Sequence, residues 1–241
     1  MDGKALAAEI KQALRKRCAA LSRPPRLAVV LVGDDPASAV YVRNKEQDCA
    51  QCGISCADHR LPSGTSQGEL LALIDTLNRD EAVDGILVQM PLPAHLDTQR
   101  VAATLDPAKD VDAMTSSSIG SLLIQNESGF APCTASASLA ILKHYDIHLQ
   151  GKSITVIGKS ATVGLPTALL MMGQEATVSV CHILSHKEDT QDLCREADII
   201  ISAAGCPGLV TKDYVRPGQV IIDVGVTLGK DGKLHGDVDF E

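Results

Sequence analysis

Short runs of unbroken apolar residues alternate along the chain with longer stretches of helical period. "LAVVLVG" (27–33) and "GILVQMPLP" (85–93) are two such runs, the second ending in a rigid Pro-x-Pro turn. Runs of this length and composition read as strands buried on both faces. Between them, a helix is expected from about Pro36 to Cys52, stopping at Gly53, a residue suited to the left-handed conformation that ends helices. "ISCADHRL" (54–61) reads as a further strand, and Ser66 with Glu69 forms a capping box ahead of "LLALIDTL". The N-terminal "MDGKALAAEIKQALRKRCAALS" has an amphipathic helical pattern. A β-α-β-α-β series of this kind predicts a parallel sheet with helical crossovers.

A loop, "DPAKDVDAM" (106–114), interrupts the rhythm, and Pro132 and Thr134 start a helix through "SLAILKHY". After Gly151 the alternation resumes: "SITVIG" (153–158), "ATVSVCH" (176–182), "ADIIISAAG" (197–205) and "GQVIIDVG" (218–225) are strands, and "VGLPTALLMM" is a helix. The expected fold class is α/β in two domains: a three-layer N-terminal domain over 1–130 and a Rossmann-like domain over 131–241, joined near 125–134. The 241 residues are enough for two cores, and no repeat or low-complexity segment is present.

Composition narrows the partners. Apolar residues make up 45% of the chain, net charge is −8, and only 2% of residues are aromatic. With no basic stripe and few stacking platforms, nucleic acid is not an expected partner. An anionic ligand would have to be held locally, by a few lysines or backbone amides. Eight cysteines without a secretion signal suggest reduced thiols and a cytoplasmic location. The N-terminus lacks the apolar core of a targeting peptide, and no apolar run is long enough to span a membrane.

Four stretches carry candidate chemistry. In "VIGKSATVG" (156–164), Gly158-x-Ser160-x-x-x-Gly164 lies between a strand and a helix. Dinucleotide-binding turns need small residues here, so that backbone can approach a pyrophosphate at a helix N-terminus. Taken alone the pattern also fits a tight turn without a ligand. Lys159 lies inside the turn, where its side chain can reach a ribose phosphate. Tyr41 and Lys45 stand one helical turn apart on one face, so the pair reads either as a proton relay or as a solvated lysine over a packed ring. Cys49 and Cys52 precede the helix stop, whereas Cys56 and His59 fall on opposite faces of a strand. Four ligands splayed in this way cannot close a tetrahedral site, and no metal is expected. Asp110 and Asp112, two apart in a loop, read as turn-makers, metal ligands or acceptors for a ligand's amino groups.

The pieces, in order, resemble the bifunctional methylenetetrahydrofolate dehydrogenase/cyclohydrolase family. The matching stretches are "VGDDPASAVYVRNK" (32–45), "DGILVQMPLP" (84–93), "DPAKDVDAMTSSSIG" (106–120), "PCTASASLAIL" (132–142), "VIGKSATVGLP" (156–166), "TVSVCH" (177–182), "RPG" (216–218), "VIIDVG" (220–225) and "GDVDF" (236–240). The resemblance implies a folate-binding catalytic first domain and a second domain for NADP, with NAD possible, around a cleft. It implies oxidation of methylenetetrahydrofolate and hydrolysis of the methenyl form to 10-formyltetrahydrofolate, in a homodimer. It places the catalytic lysine on Lys45, the tyrosine on Tyr41, the glutamine on Gln89 and the pterin-binding aspartate on Asp112. Folate contacts would fall on Tyr41, Val88, Gln89, Met90, Pro91 and Asp112. Cofactor contacts would fall on Gly158, Lys159, Ser160, Gly164, His182, Ile183 and Val226.

The chain departs from the family pattern in places. Lys159 stands where arginine is frequent, and Ile183 and Leu184 replace a hydroxyl and a base after His182, so only modest preference for NADP over NAD is expected. "PCTASAS" stands for the common "PCTP". The family continues past "GDVDF" with a "PVPGGVGPMT" loop and a returning helix, and this sequence stops at Glu241. On that basis the chain is expected to keep more hydrolase than dehydrogenase activity. The alternative is a non-catalytic folate- or nucleotide-binding paralogue, or an incomplete chain acting with a partner.

Overall fold

The structure, a computed structural model, describes residues 1–125, 129–229 and 232–240. It divides into two compact units, the first mainly Met1–Gly120 and the second mainly Ala131–Glu241, with 121–130 shared between them. The expected junction at 125–134 includes 126–128, which lie outside the described residues.

The first unit opens with α1 (Gly3–Ala19), capped by the Asp2 carboxylate on the Lys4 and Ala5 amides. There follow β1 (Arg26–Val32), α2 (Pro36–Cys52), β2 (Ser55–Leu61), α3 (Gln67–Arg79), β3 (Gly85–Val88), α4 (Thr98–Thr104) and α5 (Ser116–Leu123). Local signals set several boundaries. Asp35 accepts from Ser38 N–H at 2.8 Å at the start of α2, and Gly53 ends that helix at φ 78°. The capping box of Ser66 and Glu69 is present on α3. All three strands are parallel, in the order β2-β1-β3. Period-2 alternation divides β1 between two cores. Ala28, Val30 and Val32 pack with Ile86 and Val88 against Leu70, Ile74 and Leu77 of α3 and Val101 of α4. Val29, Leu31 and Leu87 pack with Val42 of α2. Helices therefore cover both faces, which makes three layers. The apolar run at 85–93 forms a strand only to Val88; beyond Gln89, Pro91 and Pro93 lack the N–H that a ladder needs.

The second unit contains α6 (Cys133–His144), β4 (Ser153–Ile157), α7 (Gly164–Met172), β5 (Thr177–Cys181), α8 (Lys187–Glu196), β6 (Ile199–Ser202), a 3-10 turn (Lys212–Tyr214) and β7 (Val220–Asp223). A two-stranded antiparallel hairpin, β8 (Thr227–Leu228) and β9 (Leu234–His235), follows. The main sheet is parallel, in the order β5-β4-β6-β7. One face of the sheet packs with Leu142 of α6 and Ala168 and Met171 of α7. The other packs with Cys194 of α8 and Tyr214. From β4 the chain first adds a strand on one side and then crosses to the other, so β4 and β6 flank a topological switch point, where α/β folds hold ligands. Helices α4, α5 and α8 were not expected from the sequence pattern. The first two are only seven and eight residues long, and α8 is strongly polar apart from the stripe that carries Cys194.

Burial tunes the thiols away from reactivity. It pushes Cys194 up to about 12 from an ordinary 9.0. Cys49 rises to about 11, with burial the largest cause and Cys56 the next. A raised folded-state value means that the unfolded thiol ionises first. The contribution to stability is therefore complete below about pH 9 and is lost as pH rises toward the folded value. Between about pH 9 and 11, urea midpoints of wild type are expected to fall more steeply than those of Cys194→Ala. Parallel slopes would count against this burial effect.

Candidate active site

Helix α2 and the end of β3 bring the first set of residues together. Gln89 follows β3 directly, and its N–H still donates to Val30 O at 2.9 Å, so the sheet fixes its backbone. Its side chain is 9% exposed. The Lys45 Nζ donates to Gln89 Oε1 at 3.1 Å, and Gln89 Nε2 donates to Met90 O at 2.6 Å. The carboxamide is held at its nitrogen end while its oxygen aims the amine. Tyr41, one turn earlier on α2, is 49% exposed and available to a ligand. Val88 is different: its side chain is 2% exposed and belongs to the core under α3. Met90 is half-buried and Pro91 exposed in the turn that follows.

The two loop aspartates separate. Asp110 is 1% exposed and accepts from Met114 N–H at 2.9 Å, Thr115 N–H at 2.8 Å and Ser118 Oγ at 2.8 Å. It fixes the turn just before α5, where Thr115 Oγ accepts from Ser118 N–H at 3.0 Å and caps the helix. Asp112 lies half-buried in the turn just beyond it. Lys109 secures this loop. Its Nζ donates to the carbonyls of Leu77 (3.1 Å), Asn78 (2.7 Å) and Asp80 (2.8 Å), and its own carbonyl accepts from Ile86 N–H at 2.7 Å. The Asp112 turn is thereby tied both to the C-terminal end of α3 and to the edge of β3.

The second set surrounds a cavity of about 780 Å³ at the C-terminal ends of β4 and β6. Gly158, Lys159, Ser160, His182 and Ile183, all named by the family resemblance as cofactor contacts, line it; Gly164 and Val226 are not among its lining residues. Gly158 has φ +119°, and a Cβ there would sit 2.3 Å from Ala203 O. Gly164 is needed for a different reason: a Cβ on it would sit 2.0 Å from Gly158 O. The turn is thus compact because two side chains are missing. Ser160 Oγ accepts from Val163 N–H at 3.2 Å and Gly164 N–H at 3.3 Å, which caps α7 from within the turn. After β5, His182 N–H donates to Ser185 Oγ at 3.0 Å, and Leu184 N–H donates to His182 Nδ1 at 3.2 Å, leaving the ring proton on Nε2 in the neutral form. Ile183 and Leu184 are 98% and 82% exposed.

The sequence pattern missed several residues of this wall. Ser185, Lys187, Thr190, Cys206 and Tyr214 all line the cavity. Lys187 is the most informative, since it adds a second cation beside Lys159 in a chain of net charge −8. A "CHILSHK" loop signals this only if the sheet order is known. The bare turn, the cation pair and the switch-point position together suit an extended ligand with phosphates, and they fit a dinucleotide. Among the described residues, no group of three or more His, Cys, Asp or Glu could hold a metal ion. No helix among them is long and apolar enough to cross a membrane.

Comparison with known proteins agrees with this division. Residues 1–112 match the family model of the tetrahydrofolate dehydrogenase/cyclohydrolase catalytic domain, and residues 132–241 match that of the family's NAD(P)-binding domain. The bifunctional protein FolD of Aquifex aeolicus is 46% identical over 245 aligned residues, covering 100% of this chain and 83% of the relative. The crystal structure of the bifunctional enzyme FolD from Campylobacter jejuni superposes with a TM-score of 0.96 at 45% identity, over 99% of this chain and 85% of that one. The Trypanosoma brucei methylenetetrahydrofolate dehydrogenase-cyclohydrolase, solved with NADP cofactor and an inhibitor, gives a TM-score of 0.94 at 35% identity, over 100% and 85%. With both family domains matched in order and relatives this similar over its whole length, the chain belongs to the tetrahydrofolate dehydrogenase/cyclohydrolase family.

Proposed function

We propose that the protein oxidises methylenetetrahydrofolate to the methenyl form, with NADP or NAD as oxidant, and hydrolyses that product to 10-formyltetrahydrofolate. The observation that carries the catalytic assignment is the 3.1 Å hydrogen bond from Lys45 Nζ to Gln89 Oε1. Hydrolysis adds water to the cationic methenyl carbon, breaks one carbon–nitrogen bond and delivers a proton to the nitrogen that leaves. Lys45 is the group that takes and returns protons in this step, and Gln89 holds its amine in place. Tyr41 offers an exposed ring to one face of the pterin. Asp112 accepts from the pterin amino group and the adjacent ring N–H, a two-point fit for a carboxylate. A bound nicotinamide cofactor supplies the hydride acceptor for the oxidation. Gly158 and Gly164 open the turn to its phosphates, and Lys159 and Lys187 bring cations to the same cavity. A homodimer in the cytoplasm is the assembly and location that go with this reading.

Replacing Lys45 by Met is expected to cut methenyl hydrolysis by about 10²–10⁴-fold, the range for a positioned acid–base, with folate affinity changed far less. Near-normal hydrolysis by a folded Lys45→Met protein would refute the role. The non-catalytic alternative would show instead as folate binding without turnover in wild type. For the cofactor, Lys159→Ala is expected to weaken NADP binding by about ten- to a hundred-fold, as loss of one charged hydrogen bond would do. Titration with both cofactors checks this, and loss of NAD affinity with NADP unaffected would show the assignment to be wrong. Cys206 gives a chemical readout of occupancy, being both exposed and part of the cavity wall. Saturating NADP should slow its alkylation at least tenfold while the exposed Cys133, outside that wall, reacts as before. Equal rates with and without NADP would place the ligand elsewhere.

A further inference from the structure

One buried carboxylate outside the residues discussed so far is tied to the wall of the cofactor cavity. Asp237 is 0% exposed. Its Oδ2 accepts from Ser202 Oγ at 2.9 Å, Ala204 N–H at 2.7 Å and Gly205 N–H at 3.3 Å; its Oδ1 accepts from Cys206 N–H at 2.7 Å. Three successive amides of one loop therefore converge on a single side chain. These donors are neutral, so the carboxylate's charge is balanced here by oriented dipoles, and the loop's conformation is what supplies them.

The same loop is one lip of the cavity. Ala203, Ala204 and Cys206 line it, and Ala203 O lies where a Cβ on Gly158 would be only 2.3 Å away. A small shift of 203–206 would thus change how closely this lip approaches the turn that receives the phosphates.

Asp237 is itself held firmly. Its N–H donates to Asp223 Oδ1 at 3.0 Å, and the next amide, of Val238, donates to Asp223 Oδ2 at 3.1 Å. Its carbonyl accepts from Val210 N–H at 2.9 Å, and Asp239 N–H returns to Val210 O at 3.0 Å. Two glycines make room for the pair of carboxylates: a Cβ on Gly225 would lie 2.0 Å from the Asp237 carboxylate, and one on Gly236 would lie 2.0 Å from Asp223 Oδ2. The end of β7 thus anchors 236–239, and 236–239 anchor the cavity lip.

We infer that Asp237 is a positioning residue for the dinucleotide: without touching the ligand, it fixes the backbone of 203–206 at the spacing that the cofactor requires. This inference rests on the reading of the cavity as the NAD(P) site.

The test is Asp237→Asn in the full chain, an exchange of nearly equal volume that leaves one oxygen where two accepted. NADP affinity is measured by calorimetry, folding by circular dichroism and thermal melting, and methenyl hydrolysis without cofactor alongside. The expected result is NADP binding weaker by about ten- to a hundred-fold, with hydrolysis retained, since Lys45 and Gln89 lie in the other unit. A purely structural role would lower both in step with the folded fraction. Native NADP affinity in a folded Asp237→Asn protein overturns the inference. Gly205→Ala provides the second variant: Gly205 has φ +63° and open space around it, so an added methyl strains the loop without a clash. It is expected to weaken NADP several-fold with hydrolysis unchanged, and unaltered affinity overturns the inference even if Asp237→Asn does not fold. Failure of wild type to bind either cofactor would instead defeat the underlying assignment of the cavity.

Discussion

Parallel pairing on both edges of a central strand is the constraint from which the rest follows. In the first unit that strand is β1, between β2 and β3; in the second it is β4, between β5 and β6. Such a strand must bury both faces, because helical crossovers lie over each. Val29 and Val30, on opposite faces of β1, are accordingly 0% exposed, and Thr155 and Val156, on opposite faces of β4, are 1% and 0% exposed. Parallel direction also brings the loops that carry chemistry to one end of each sheet. Gln89 follows β3, Gly158 follows β4 and Ala203 follows β6. Neither site needs a special fold to gather its residues; each sits where strands of a parallel sheet end.

The two sites then use this edge in opposite ways. In the proposed catalytic site around Lys45 the working groups are side chains, and the backbone supplies their aim. Gln89 is anchored through its N–H to β1 and through its amide nitrogen to Met90 O, so the remaining oxygen has one direction to offer Lys45. Around the cavity of the second unit the chemistry is in the backbone, and side chains are removed from it. Gly158 and Gly164 let the turn fold onto itself and onto Ala203. An overall charge of −8 is compatible with an anionic ligand because the lysines at this cavity act locally.

Buried polar groups in this chain are positional devices. Asp110 gathers two amides and a hydroxyl in the turn before α5, Asp237 gathers three amides to set a cavity lip, and the half-buried Lys109 closes the end of α3 with three carbonyls. Each would be costly to bury without those partners, so each specifies one local arrangement of the chain. The buried cysteines contrast with them. Cys49 and Cys194 are pushed well above the ordinary thiol range by burial, which suits small apolar packing units.

Most of the secondary structure was open to inspection in the sequence, because its signals act over a few residues. Apolar runs marked the strands, Ser66 with Glu69 marked one helix start and Gly53 marked one helix stop. The glycine turn at 158–164 could be identified, as could the Tyr41–Lys45 pair, but their meaning could not be fixed from spacing alone. Other features depended on which strands become neighbours. Lys45 and Gln89 are 44 positions apart, and Asp237 and Ser202 are 35 apart. Asp110 and Asp112 look alike as letters, and only the fold buries the first against the amides of Met114 and Thr115. Lys187 joins Lys159 at one cavity because β5 lies beside β4. Local sequence determines which segments form strands and helices through backbone preference and burial period. The order in which strands pair is settled by packing of the whole unit, and that order decides which distant side chains meet.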